Sequence, residues 1–264
     1  MPEGDILRRA ARSLDQALVG SPLVRAELRW PSAAGVDLVG RTVLRTVPYG
    51  KHLFTRFDDG RTLHTHLRME GSWRISRTGA PTARAAGPYV RAVLATASWT
   101  AVGHRLGMLD IVPTGDERTL IAHLGPDVLA DDFPTVGLRE ALRRWAERGT
   151  TPVAEVLLDQ TVSAGIGTLY AAESLWARRL WPWTPAAEVD AATVLMTARH
   201  LMARSVASRT PTATGDSGLS AFVHDRKGKP CLRCGTPIVR GTARRPPMER
   251  PIFYCPRCQP ERAR

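Results

Sequence analysis

Cys231-Leu232-Arg233-Cys234 and Cys255-Pro256-Arg257-Cys258 hold every cysteine of this 264-residue chain, with twenty residues between the two pairs. Two residues between thiolates let one tight turn offer both sulfurs to a tetrahedral ion, and two such turns complete a four-thiolate site. In a reducing compartment this spacing favours a metal over disulfides, and a structural zinc over a redox dithiol. Gly235 suits the tight turn after the first pair. The stretch between the pairs can fold as a β-hairpin, which predicts a zinc ribbon. Four cysteine ligands leave no open position, so one structural Zn2+ per chain holds a surface in place and does no chemistry.

That surface is basic. From residue 223 to the end there are eleven Lys or Arg and three acids, most of the molecule's formal excess of +12. Such a charge suits a polyanionic partner, either nucleic acid or an acidic membrane surface. Hydrophobic residues make up 43% of the chain, which excludes a disordered or fibrous protein. No apolar run approaches the ~20 residues of a membrane span. Met1-Pro2-Glu3-Gly4-Asp5 has neither a basic nor an apolar signal region, so a soluble, intracellular protein is expected.

Working back from the cysteines, the chain changes character twice. Residues 3–18 place Ile6, Leu7, Ala10, Leu14 and Leu18 at helical spacing, stopped by Gly20 and Pro22. From about 24 to 112 the pattern is strand-like, in the runs 42–47, 52–57, 62–66, 89–96 and 99–102. Asp59-Gly60 marks a hairpin, and 78–87 reads as a loop. A β-sandwich with one leading helix is expected. Residues 124–134 read as a turn-rich acidic linker. Helices follow at 136–148, after a Thr151-Pro152 N-cap and first-turn pair, at 169–179, and at 194–206. Ser163-Ala164-Gly165-Ile166-Gly167 breaks a helix pair, and 209–219 reads as a loop. A glycine turn of this kind either aims a helix N-terminus at a phosphate or simply joins a packed hairpin.

Several motifs occur in order along essentially the whole chain. They are Pro2-Glu3-Gly4, Tyr49-Gly50-Lys51-His52, His66-Leu67-Arg68-Met69-Glu70-Gly71, Leu124-Gly125-Pro126-Asp127, Leu157-Leu158-Asp159-Gln160 with Ala164-Gly165-Ile166-Gly167, and Glu249-Arg250-Pro251. Together they resemble the formamidopyrimidine-DNA glycosylase / endonuclease VIII family of base-excision repair enzymes, on the endonuclease VIII-like branch of actinobacterial second-type proteins. The resemblance implies an α+β, multi-domain chain. A catalytic β-sandwich at 1–124 is followed by a helix-two-turn-helix DNA-binding domain at 125–222 and a zinc ribbon at 223–264. It further implies a monomer in the bacterial cytoplasm that acts on damaged DNA, double- or single-stranded.

The resemblance also assigns residues. Pro2, exposed by removal of Met1, would attack the sugar C1′ as a secondary amine; an α-amino group has a pKa near ~8, so part of it is unprotonated at neutral pH. Glu3 would be the general acid/base, and Lys51 would work near the lesion phosphate and the lost base. His66, Arg68, Met69, Glu70 and, with Leu106, Arg105 would contact DNA around the extruded nucleotide, Met69 as the wedge. Thr168 and Arg250 would grip phosphates. Three departures stand out. Thr168 replaces the usual asparagine, Ile6 replaces a frequent glutamate, and the gap between cysteine pairs is lengthened around Arg244-Arg245-Pro246-Pro247. The expected activity is that of a bifunctional DNA glycosylase and abasic-site lyase for oxidised bases, pyrimidines before purines. The alternatives are a non-catalytic binder of damaged or abasic DNA and, more remotely, a zinc-ribbon transcription or RNA-binding protein.

Overall fold

A computed structural model describes residues 2–244 and 247–261. The chain divides into two compact units, residues 1–123 and 124–264.

The first unit opens with α1 (Gly4–Leu18), whose buried positions Leu7, Ala11, Leu14 and Leu18 recur at helical spacing. Eight strands follow: β1 (Arg25–Leu28), β2 (Val43–Tyr49), β3 (His52–Phe57), β4 (Arg61–His66), β5 (Ser72–Arg77), β6 (Val90–Ala95), β7 (Trp99–His104) and β8 (Met108–Pro113). They form two antiparallel four-stranded sheets, ordered β1-β6-β7-β5 and β2-β3-β4-β8. α1 packs on strands of both sheets. Its leucines join Leu53, Phe57, Leu63, Leu94 and Leu109 in one core. β1 and β5 carry no clean apolar alternation, because both are polar sheet edges, and arginine-bearing edges resist further strand pairing. A short α2 (Glu117–Ile121), unforeseen in the sequence, ends this unit; buried Glu117 receives Arg56 and the Thr62 hydroxyl.

The second unit corrects three expectations. Residues 124–134 are no linker: Val128, Leu129 and Phe133 lie in its core. Its turn-rich composition reflects tight packing. Gly125 N–H donates to the Gln160 carbonyl, and a Cβ at Gly125 would stand 2.4 Å from the Val162 oxygen. The next helix, α3 (Leu138–Ala146), starts two residues later than expected, after a wide turn over Phe133–Gly137. In α4 (Val153–Leu158) Pro152 occupies the N-cap with no side-chain cap, so Thr151 lies one residue outside the position expected for it. α5 (Thr168–Ala177) and α6 (Ala191–Ala207, capped by Asp190) follow near their predicted places. The hairpin β9 (Val239–Ala243)–β10 (Arg250–Tyr254) lies between the cysteine pairs. Ile238, Ile252 and Phe253 share the core of the helices.

Candidate functional site

At the start of the first unit, Pro2 is half-buried and Glu3 is the extended N-cap residue of α1. The Glu3 carbonyl accepts from the Ile6 and Leu7 amides, and the residue is only 3% exposed. A carboxyl that merely complemented a helix end would stay in water, so burial sets Glu3 apart from that use. Met1, whose removal the sequence reading requires, lies outside the described residues. Ile6 is partly buried against the core, where a glutamate would have to be desolvated.

Lys51 sits in the two-residue turn joining β2 to β3, closed by the Tyr49–His52 pair. Gly50 takes φ +54°, the left-handed region that a glycine-first hairpin turn requires. Register places His52 opposite His66, and Phe54 opposite His64. The result is a column of rings: Phe54 stacks on His64 at 4.8 Å, His64 on His52 at 5.1 Å, and His66 meets His52 edge-on at 4.9 Å. Burial, reinforced by neighbouring cationic groups, pushes His52 down to about 3 and His66 down to about 4. Both rings are therefore neutral at physiological pH. His66 Nδ1 accepts the Arg68 amide at 2.8 Å, which leaves the proton of the neutral ring on Nε2, a donor suited to a phosphate oxygen.

These shifts predict an acid-sensitive first unit. Between the unfolded value near ~6.5 and the folded values, the unfolded chain binds more protons, so stability rises with pH and falls on acidification. The expected slope is at most about 1.4 kcal/mol per pH unit for each histidine. Denaturant midpoints of the full chain should drop from pH 6.5 to 5.5, above the range where ordinary carboxylates titrate. Replacing both His52 and His66 with Phe should flatten that drop; equal slopes in variant and parent would refute the assignment.

Beyond β4 the chain turns at Arg68 (φ 54°), and the facing loop turns at Arg105 (φ 47°), both left-handed and uncommon away from glycine. The two loops are tied together. Gly107 N–H donates to the His66 carbonyl, Glu70 pairs with Arg105, and the Arg105 guanidinium lies 4.1 Å over the Tyr89 ring. A Cβ on Gly107 would meet the Arg68 side chain at 2.0 Å, so glycine permits this approach. Met69, at the tip, is 66% exposed and is not a core methionine. Leu106 is the reverse: at 2% exposure it belongs to the core and cannot probe DNA without unpacking.

In the second unit Gln160 clips the turns between α4 and α5. Its amide donates to the Leu158 and Ile166 carbonyls, and its Oε1 accepts the Gly165 amide. Gly165 (φ 110°) and the extended N-cap Gly167 then launch α5, with Thr168, mostly buried, as its first residue. Glu173, fully buried on α5, accepts the amides of Phe222, Val223 and His224 at 2.8–2.9 Å and so ties the helix to the turn that leads into the cysteine module. Sequence reasoning missed it, since one acid inside an apolar helix carries no pattern. Arg250 begins β10, opposite Ala243, and donates to the Glu249 carbonyl. Of the lengthened tip, Arg245 and Pro246 lie outside the described residues. Trp183 braces the hairpin by packing on Gly241 and donating to the Thr242 carbonyl.

The four thiols converge, all within 4.8 Å of one another, with Cys231–Cys258 at 4.0 Å and Cys234–Cys255 at 3.5 Å. Zinc–sulfur bonds of about 2.3 Å in a tetrahedron set sulfurs about 3.8 Å apart, so the cage has the right size. The Trp176 indole and the Cys258 amide point N–H groups at Cys231 and Cys255, as partners of anionic sulfur do. The cluster fits a tetrathiolate metal ion.

A β-rich unit with a leading helix, a helical unit with a glycine-clipped helix pair, and a four-cysteine cage define a class of DNA-repair protein. The profile of the formamidopyrimidine-DNA glycosylase N-terminal domain matches residues 1–112, and that of its H2TH domain matches residues 124–214. The chain is 42% identical to a probable endonuclease 8 2 of Streptomyces coelicolor over 98% of its own length and 94% of the relative's. It is 37% identical to the DNA-(apurinic or apyrimidinic site) lyase Nei2 of Mycolicibacterium smegmatis, covering 98% and 99%. Its fold matches the Lactococcus lactis formamidopyrimidine-DNA glycosylase bound to abasic-site DNA, with a TM-score of 0.82 at 21% identity over 98% and 100% of the two chains. The protein belongs to the formamidopyrimidine-DNA glycosylase / endonuclease VIII family, close to the actinobacterial endonuclease 8 2 proteins.

Proposed function

We propose that this protein excises oxidised bases, pyrimidines first, and then cuts the strand at the abasic site, with Pro2 as nucleophile. The observation that carries the reading is a buried carboxyl, Glu3, at the N-cap of α1 immediately beside the second-position proline. The unprotonated Pro2 nitrogen attacks C1′, the C1′–base bond breaks with its electron pair leaving on the base, and the proton that the attacking nitrogen sheds neutralises the departing base. Glu3 supplies the proton that opens the sugar ring at O4′, giving an iminium between Pro2 and C1′. Loss of a C2′ proton then expels the 3′-phosphate. Lys51 and His66 hold the lesion phosphates, Met69 fills the vacated stack, and Thr168 and Arg250 grip the backbone. Zinc in the cysteine cage supplies structure only and keeps β9–β10 in place.

Two relatives carry names of the same chemistry: the Mycolicibacterium smegmatis protein is called an abasic-site lyase and the Streptomyces coelicolor protein a probable endonuclease. The test is reduction with borohydride in the presence of a duplex bearing one oxidised pyrimidine, which should leave a covalent protein–DNA adduct. No adduct with any single-lesion oligonucleotide, despite lesion-selective binding, would reduce the protein to a damage-binding module. Arg250→Ala is expected to weaken binding to all lesions alike and to lower the slope of log K against log salt by about 0.9, the loss of one phosphate contact. An unchanged slope would remove Arg250 from the phosphate grip.

A further inference from the structure

An arginine in a DNA-binding unit is expected to face phosphate, yet Arg144, Arg148 and Arg199 spend their donors on the chain itself. Arg144, on α3, donates from Nη1 to the Leu124 carbonyl at 3.1 Å and to the Thr161 carbonyl at 2.8 Å, and from Nε to Glu140 at 2.6 Å. Arg148, just past the end of α3, donates to the Thr161 hydroxyl at 3.0 Å and pairs with Asp159 at 3.3 Å. Arg199 of α6 donates to the Val128 and Ala130 carbonyls. The packing of α3 does not require these contacts. Ala141 and Trp145 bury its inner face, and the Trp145 indole donates to the Ala186 carbonyl at 3.1 Å.

What Arg144 joins is two stretches of backbone from different parts of the second unit. Residues 124–128 lie along residues 160–164. The Gly125 amide donates to the Gln160 carbonyl at 2.8 Å, the Ala164 amide to the Pro126 carbonyl at 2.9 Å, and the Val128 amide to the Ala164 carbonyl at 3.0 Å. The first of these bonds is bracketed by the guanidinium, because the carbonyls it holds belong to Leu124 on one stretch and Thr161 on the other. From Gln160 the contacts continue. Its side chain holds the Gly165 amide and the Ile166 carbonyl, and Gly167 caps α5, its carbonyl accepting the Ala171 amide. One guanidinium thus stands at the root of the turn that sets where α5 begins and where Thr168 lies.

We propose that Arg144 is a positioning residue for DNA binding: by bridging the Leu124 and Thr161 carbonyls it fixes the turn over 160–167, and with it the start of α5, without itself touching DNA. The proposal rests on the reading that Thr168 grips the backbone of the damaged strand. Arg144 is half-buried, and its Nη1 and Nε are engaged by carbonyls and Glu140. The grip it places is a neutral hydroxyl at a helix start. Misaligning that grip costs affinity but does not change the number of cations that meet phosphate. The salt dependence of binding therefore separates Arg144 from Arg250, whose loss lowers the slope.

The experiment uses the full chain and a duplex carrying one abasic site, with Kd measured across a salt series. Arg144→Met removes the donors and keeps most of the side-chain length. It should raise Kd about tenfold at every salt concentration, the scale of one or two lost hydrogen bonds, with the slope of log K against log salt unchanged. In a Thr168→Val background the same substitution should cost less than about twofold, because the group it places is already gone. Hydrogen exchange should quicken at the Gly125 and Gly165 amides and stay unchanged at Leu175 within α5. Arg144→Lys keeps the charge but not the fork; it should show the same exchange pattern with a loss of about threefold, and it carries the test if the methionine variant does not fold. A slope lowered by about 0.9 would put Arg144 itself on phosphate. Equal losses in the parent and Thr168→Val backgrounds would make its effect a general loosening. Either result overturns the proposal, as does an unchanged Kd with faster exchange at Gly125 and Gly165. A Thr168→Val protein that binds the duplex as tightly as the parent instead overturns the reading of Thr168 on which it rests.

Discussion

Leaving one uncleaved residue in front of Pro2 is expected to abolish borohydride trapping and to slow base excision and strand cleavage by on the order of 10³-fold or more. The reason lies in the nitrogen. As a free secondary amine it has a lone pair; once acylated it becomes an amide whose lone pair is delocalised into the carbonyl and no longer attacks carbon. Folding should be untouched. The amides that start α1 bond to the Glu3 carbonyl, and the helix is held by Leu7, Leu14 and Leu18 in the core. DNA binding and the circular dichroism spectrum of the extended protein should therefore match the parent. Undiminished trapping by the extended protein would move the nucleophile elsewhere in the chain. Loss of DNA binding along with trapping would mean that the extension blocks the groove, and would leave the chemistry of Pro2 to be tested by Pro2→Gly.

Stripping the metal should have the second largest effect. Structural zinc contributes apparent binding energies of about 10–16 kcal/mol in zinc-finger peptides, comparable to or larger than the 5–15 kcal/mol stability of a whole domain. Here the loss should spread beyond the hairpin. Cys231 and Cys255 are buried in the same core as Ile238, Ile252 and Phe253, and that core continues into Tyr170, Trp176 and Leu195 of the helices. Four uncoordinated thiols in the cage would repel as they ionise, and β10 would lose its anchor. Chelation, or Cys231→Ser, should abolish DNA binding and loosen residues 124–264, while hydrogen exchange in β3, β4 and β7 stays slow because the core of the first unit is separate. Full-affinity DNA binding by protein shown to be metal-free would refute this account of the cage.

What could be read from residue order was whatever local periodicity or spacing encodes. The leading helix was legible because α1 buries one face only. The metal cage was legible because two turns of fixed length carry all its ligands. The Asp59-Gly60 turn was legible from its own two residues. The edge strands β1 and β5 were not, since an edge tolerates polar residues on both faces. Residues 124–134 misled because the glycines and prolines of a tightly packed turn look like those of a linker until the carbonyls they approach are known.

Sequence thus sufficed for the family, through the order of its motifs, and for the four cysteines of the cage, through short-range spacing, while the roles of Pro2 and Glu3 came from the family resemblance. It could not reveal which partners each side chain meets. Glu173 reaches amides some fifty positions away, and Arg105 meets Glu70 at a separation of 35. His64 lies between His52 and Asp110 through strand register alone. Those contacts are set by pairing and packing over long separations, where no local pattern survives.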